Sequence, residues 1–267
     1  MTVLYAGIDA GSRTLKVVLT EPGGRGIVSA VVRDQGIDQD ALSGELLERL
    51  LDQQGLRRGD VGAIVATGYG RRLIRFADAA VTEVTCQAWG VRRCVPDART
   101  VIDIGGQDSK VLRLKPDGGV ADFVMNDRCA AGTGRFLEVL AARLGVRLLA
   151  LGDLSDRSCR AATISNMCVV FAETEIIGLL ASGVAAEDIV AGVQAAVASR
   201  VAAMAGRNLP EPIVFTGGVA LVPGMQTALE TALGKPVVVA AEPQLTCALG
   251  AAILASQRPL EVRPPHG

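Results

Sequence analysis

The chain opens on short apolar runs broken by glycine and proline, then passes into stretches where apolar residues recur every three or four positions. The short runs predict strands over 3–9, 15–20, 26–33 and 61–67, and the longer spacing predicts helices over 40–53 and 85–94. The same order then returns. Strands are predicted over 100–104, 109–114 and 120–126, followed by helices over 131–144, 169–182 and 187–206. A strand over 212–216, a helix over 223–233, a strand over 236–240 and a helix over 245–256 complete the pattern. The turns "PGG" (22–24) and "PDGG" (116–119) close the second hairpin of each series. Repeated strand–strand–strand–helix units give mixed sheets covered by helices, an α/β class.

The repetition extends to individual residues. "GIDAGSRTLKVV" (7–18) matches "VIDIGGQDSKVL" (101–112) at a constant offset of 94 residues. Ile8 pairs with Ile102, Asp9 with Asp103, Gly11 with Gly105, Lys16 with Lys110 and Val17 with Val111. Each copy is a strand, a carboxylate near its end, a glycine turn and a second strand. "IVFTGGVALVPG" (213–224) adds a strand, a Gly-Gly turn and a helix start. Glycine turns let backbone N–H groups converge on an anion, and Ser12 and Thr14 add hydroxyl donors. A strand-end carboxylate suits Mg²⁺, which keeps most of its waters and takes only one or two carboxylates beside phosphates. One such hairpin is ordinary; two in register point to a Mg-nucleotide.

Composition narrows the field. With 267 residues and 49% apolar content, the chain is long enough for two globular domains. The 27 Lys and Arg balance 28 Asp and Glu without long runs of one sign, which argues against nucleic acid and anionic membrane surfaces as partners. The longest apolar stretch is interrupted by Gln194 and Arg200, so no membrane span is expected, and with no basic leader before its first strand the sequence is expected to lack a secretory signal. Six cysteines without paired spacing point to a reducing compartment, hence a cytoplasmic protein with free thiols or a metal site. The single histidine, His266, lies in a Pro-rich tail, which removes histidine catalysis from consideration.

The trio "GIDAGSRTLK", "DIGGQDSK" and "FTGGVA" resembles the phosphate-1, phosphate-2 and adenosine segments of the superfamily of acetate and sugar kinases, heat-shock chaperones and actin. The resemblance covers residues 3 to 256 and implies two ribonuclease-H-like, actin-like ATPase domains around a nucleotide cleft. The implied division is domain I over 1–98 and domain II over 99–244. The helix 245–256 crosses back to domain I, and 257–267 form a flexible tail. By carry-over, Gly11, Ser12, Arg13, Thr14, Leu15 and Lys16 form the first phosphate loop, with Arg13 expected to point outward. Gly105, Gly106 and Gln107 form the second, and Gly217, Gly218 and Gln244 border the adenosine. Asp9 and Asp103 hold Mg²⁺ through water. Gln107 is the candidate for orienting the hydrolytic water, or else a hydrogen-bonding turn residue.

ATP binding alone leaves kinase, chaperone and filament readings open. "MNDRCAAGTGRF" (125–136) and "SNMCVVFAETEII" (165–177) each place a cysteine, Cys129 and Cys168, before a helical pattern. A helix N-terminus favours a thiolate, although packing is the commoner role of a single cysteine. No C-x-x-C spacing supports a four-cysteine site within one chain, while a symmetric dimer would double the two thiols to four.

Together, "ATGYGR" (66–71), "VIDIGGQDSKV", "MNDRCAAGTGRFLEV" and "CVVFAETEII" are similar to the ATPases that activate 2-hydroxyacyl-CoA dehydratases, a group that includes the ATPase subunits of benzoyl-CoA reductases. The resemblance implies a homodimer with ATP/ADP, Mg²⁺ and one [4Fe-4S] cluster per homodimer, ligated by Cys129 and Cys168 of each chain. It also implies one-electron transfer to a partner metalloenzyme, fed by reduced ferredoxin or flavodoxin. That partner is a dehydratase, a benzoyl-CoA reductase core or a double-cubane cluster protein. A small-molecule kinase of the same fold remains the rival, and an actin-like filament or chaperone would leave the cysteines unexplained. Tyr69 and Arg71 line either a partner surface or a structural turn. Cys86, Cys94, Cys159 and Cys247 read as packing or solvated thiols, and Glu173 and Glu175 as helix-surface or cap residues.

Overall fold

The computed structural model describes residues 3–165 and 168–258, which divide into two compact units: residues 3–96 with 245–258, and residues 97–244. In the first unit, β1 (Leu4–Ala10), β2 (Thr14–Thr20) and β3 (Ile27–Asp34) form an antiparallel meander. Helix α1 (Gln39–Gln53) then leads to β4 (Val61–Thr67), parallel to β1, and to the short β5 (Ala79–Ala80) and α2 (Glu83–Cys94). The sheet order is β3-β2-β1-β4-β5. Every residue of the central β1 is buried, which is why "LYAGIDA" reads as a nearly continuous small-and-apolar run.

The second unit repeats this plan. Strands β6 (Thr100–Ile104), β7 (Ser109–Leu114) and β8 (Val120–Asn126) form the meander, and β9 (Ile213–Thr216) and β10 (Val237–Val239) complete the order β10-β9-β6-β7-β8. Between β8 and β9 run α3 (Gly134–Leu144), α4 (Leu151–Ser155), α5 (Val169–Ala181) and α6 (Ala186–Ala205), and α7 (Met225–Leu233) joins β9 to β10. Phe136, Leu140, Val193, Val197 and Phe215 fill this core. By length and hydropathy α6 matches a membrane-crossing helix, but half of it is buried inside the unit. The last helix, α8 (Thr246–Ser256), belongs to the first unit, where it packs on β1, β4 and α2. Buried on nearly all sides, it has no polar face, as its composition requires.

Two short elements, β5 and α4, lack any sequence expectation because two and five residues are too few for periodicity to register. A more consequential difference concerns α3, which begins at Gly134 rather than at the expected residue 131. Thr133 is extended (φ −134°, ψ 170°), and its hydroxyl accepts from Arg135 N–H and donates to the Ala130 carbonyl. That geometry closes a separate 3-10 turn over Ala130–Gly132 and starts α3 afresh.

Candidate functional site: carboxylate hairpins and the cysteine turns

The duplicated motif folds into two hairpins of the same register. Asp9 lies opposite Lys16 across β1–β2, and Asp103 lies opposite Lys110 across β6–β7. In the first, Lys16 Nζ is 3.0 Å from Asp9 Oδ2, and Asp9 is buried. In the second, Lys110 Nζ stands 4.0 Å from Asp103 Oδ2 and makes its closer ion pair with Asp108. Burial weakens solvent screening, so each lysine offsets part of the cost of holding a carboxylate at the strand end.

A further correspondence joins the units. The strand parallel to each hairpin ends in Thr-Gly, with Thr67 opposite Asp9 and Thr216 opposite Asp103. The glycines that follow, Gly68 (φ +86°) and Gly217 (φ +88°), are both left-handed. A Cβ on Gly68 would lie 2.4 Å from Asp9 Oδ1, and one on Gly217 would lie 2.6 Å from Asp103 Oδ1. Each carboxylate is thus roofed by a bare backbone that no other residue type can supply without strain. "ATGYGR" is therefore the first unit's counterpart of "FTGGVA". Arg71 folds back, its Nη1 donating to Gly68 O at 3.0 Å, whereas Tyr69 is exposed.

The remaining predicted residues fall around these carboxylates. In the first unit Ser12 and Arg13 are exposed, Gly11 and Thr14 are half-buried, and Gln35 braces the turn through Nε2–H to Gly11 O (2.7 Å) and N–H to Arg13 O (2.9 Å). Leu15 is fully buried in that unit's core, so its side chain does not reach the turn surface. In the second unit Gln107 is exposed at the tip of the turn, Gly105 and Gly106 are half-buried, and Gly218 and Gln244 are neighbours. Gly217 N–H donates to Pro243 O at 2.9 Å, which holds the 242–244 loop against the Gly-Gly turn.

The Gly105–Gly106 turn has a connection with no counterpart among the first unit's described residues. Its two carbonyls accept the opening N–H groups of α3, Gly134 N to Gly105 O at 2.9 Å and Arg135 N to Gly106 O at 2.8 Å. A Cβ on Gly134 would stand 3.1 Å from Gly105 O, so the glycine permits this approach. Cys129 caps the 3-10 turn immediately before α3, not α3 itself as expected from the sequence. Asn126 clamps its backbone from both sides, Nδ2–H to Cys129 O at 2.7 Å and Cys129 N–H to Oδ1 at 3.1 Å. Its half-buried thiol accepts a hydrogen bond from Arg200 Nη2 at 3.6 Å.

Cys168 occupies the predicted place at the N-terminus of α5, where it is exposed. Glu173 and Glu175 act as braces: Glu173 pairs with Arg143 of α3, and Glu175 accepts from Ser165 N–H at 2.8 Å. Among the described residues, no group of three or more His, Cys, Asp or Glu side chains gathers as a metal site. The other cysteines differ in kind. Cys86 is buried in the first unit, where desolvation pushes its thiol up to about 12, and burial also raises Cys94. Cys247 is half-buried and Cys159 is exposed.

Two ribonuclease-H-like units, each presenting a carboxylate hairpin beneath a Thr-Gly turn, define an actin-like ATPase. The family model described as the BadF/BadG/BcrA/BcrD ATPase family matches residues 6–255, and the chain belongs to that family. It is 44% identical over 250 residues to the activator of lactoyl-CoA dehydratase from Anaerotignum propionicum, spanning 93% of this chain and 96% of that protein. Among solved structures, the activator of 2-hydroxyisocaproyl-CoA dehydratase from Clostridium difficile, with bound ADPNP, aligns with a TM-score of 0.90 and 41% identity. That alignment covers 95% of this chain and 94% of the other. Component A of the (R)-2-hydroxyglutaryl-CoA dehydratase of Acidaminococcus fermentans aligns with a TM-score of 0.90 and 38% identity, covering 96% and 98% of the two chains.

Proposed function

We propose that this ATPase is an activator that couples ATP hydrolysis to the delivery of one low-potential electron to a 2-hydroxyacyl-CoA dehydratase or a similar metalloenzyme. The observation that carries the proposal is the tie between a phosphate-type turn and a cysteine. Gly105 and Gly106 hold the start of α3 through two backbone hydrogen bonds, and Cys129 stands one 3-10 turn upstream. A change at that turn has a short, hydrogen-bonded route to the thiol.

The hairpin turns bind ATP with Mg²⁺. Asp9 and Asp103 hold the hydrated metal, Ser12, Thr14 and Lys16 contact phosphates, Gln107 orients the attacking water, and Gly217, Gly218 and Gln244 border the adenosine. A [4Fe-4S] cluster fits the donor set: two soft thiol ligands per chain, one exposed and one half-buried, beside a cationic N–H donor. Two ligands are half of what the cluster requires, so a homodimer completes the site with Cys129 and Cys168 of both copies. The apolar face of α5 next to Cys168 supports this, since Val170, Phe171 and Ile177 are exposed along it. When bound, the cluster supplies one-electron storage. The protein's part is to clamp Cys129 through Asn126, to place Cys168 at the start of α5, and to bias both through the nucleotide. A reduced ferredoxin or flavodoxin in a reducing cytoplasm provides the electron.

Anaerobic purification tests this reading. The expected result is a brown homodimer with about four irons, lost in Cys129→Ser and Cys168→Ser variants that remain folded. A colourless, folded monomer whose ATP turnover depends on a sugar or carboxylic acid would instead establish the kinase.

A further inference from the structure

Arg200 is the only basic residue in α6, a helix otherwise dominated by Ala and Val. It is half-buried, and its stem crosses Gly132, where an added Cβ would lie 3.7 Å from Arg200 Cγ. Among the described residues its guanidinium has one hydrogen-bond partner, Cys129 Sγ at 3.6 Å, and no carboxylate pairs with it. Both side chains border a cavity of about 1000 Å³ that also takes in Asn126, Ser109 and Ile164. Among the described residues, the Ser109 hydroxyl in that wall is buried without a hydrogen-bond partner. A half-buried guanidinium on an apolar helix, whose hydrogen-bond partner among the described residues is a thiol, gains little structurally for its desolvation.

We propose that Arg200 is a positioning residue for the Cys129 sulfur, and that its charge and N–H donor raise the reduction potential of the metal centre this sulfur serves. The inference rests on the cluster reading above. Reduction adds one negative charge to a thiolate-ligated cluster, and a nearby cation with an N–H···S hydrogen bond stabilises the more negative state. Removing the guanidinium therefore disfavours reduction. Lysine restores charge but not the planar fork, and glutamine restores a donor without charge.

The experiment compares wild type with Arg200→Met, Arg200→Lys and Arg200→Gln after anaerobic reconstitution, reading iron content and midpoint potential by EPR-monitored titration. All are expected to retain about four irons per dimer. Arg200→Met should lower the reduction equilibrium constant about tenfold, which is ~59 mV for a one-electron couple. Arg200→Lys and Arg200→Gln should fall between Met and wild type. If the Met variant fails to fold, Gln against wild type carries the same prediction with the same sign. Wild type without iron would overturn the cluster reading itself. Iron-loaded variants with the wild-type potential would overturn the role of Arg200 alone.

Discussion

The two units carry the same hairpin to different ends. In the first, the turn between β1 and β2 is braced by Gln35, just after β3, and β3 passes within a few residues to α1. In the second, the turn between β6 and β7 is braced by the start of α3 itself. Here the β8-to-β9 connection swells into the turns and helices whose starts and faces carry Cys129, Cys168 and Arg200. The shared parts are those a Mg-nucleotide would need: a carboxylate, a register-paired lysine and a left-handed glycine. Among the described residues, the tie between a hairpin turn and a cysteine occurs in the second unit. A duplicated ATPase frame has become asymmetric by tying one of its turns to a thiol.

Replacing either carboxylate, Asp9→Asn or Asp103→Asn, should reduce ATP turnover by on the order of 10²-fold or more in a steady-state assay, because on the proposed reading each carboxylate holds the hydrated metal. The two should part in stability. Asp9→Asn strips Lys16 of a buried carboxylate and should cost about 3 kcal/mol in denaturant unfolding. Asp103→Asn leaves Lys110 its closer partner Asp108 and should cost about 1 kcal/mol. Equal losses would show that the hairpins are not differently wired.

The roofing glycines should behave alike. Gly68→Ala and Gly217→Ala each force a Cβ onto a carboxylate at positive φ, with an expected loss of about 2 kcal/mol by the same measurement. Asn126→Ala releases both backbone hydrogen bonds at Cys129, about 1–2 kcal/mol locally, and should speed iron loss to a chelator without altering nucleotide affinity.

The smallest effect is pH-dependent. Asp188 is held below the ordinary carboxylate value chiefly by the Arg160 N–H, then by the Ser158 hydroxyl and the Cys159 N–H. A depressed carboxylate stabilises above its unfolded value and loses that contribution as pH falls through the folded one. The protection factors of the Cys159 and Arg160 amides, corrected for intrinsic exchange, should therefore fall as Asp188 is protonated in acid, and Asp188→Asn should remove that dependence.

The hairpins were legible because Asp9 and Asp103 recur with Lys16 and Lys110 at one offset, which survives without knowledge of the fold. Gly68 escaped because Thr-Gly is only a dipeptide, and the segments between β1 and β4 and between β6 and β9 differ greatly in length. Its equivalence to Gly217 becomes visible only when Thr67 and Thr216 are placed beside the two carboxylates. Helical spacing in "AAGTGRF" runs on through Thr133 and so sets the start of α3 too early, whereas the Thr133 hydroxyl closes one turn and opens the next. Leu15 falls inside the motif by position alone, and alternation along β2 turns its side chain into the core. Arg200 looked like a mere interruption of an apolar run. Its meaning depends on a sulfur 71 positions away in sequence.

The proposed link between nucleotide and thiol is tested most directly by the midpoint potential of the reconstituted protein under Mg-ADP and under Mg-ADPNP, in wild type and in Arg135→Pro. Proline is tolerated in the first turn of a helix but lacks the N–H that reaches Gly106 O, and Arg135→Ala controls for the lost side chain. The expected result is a nucleotide-dependent shift in wild type and Arg135→Ala that shrinks in Arg135→Pro at unchanged nucleotide affinity. Identical potentials under both nucleotides in the wild type, or a full shift in Arg135→Pro, would contradict it.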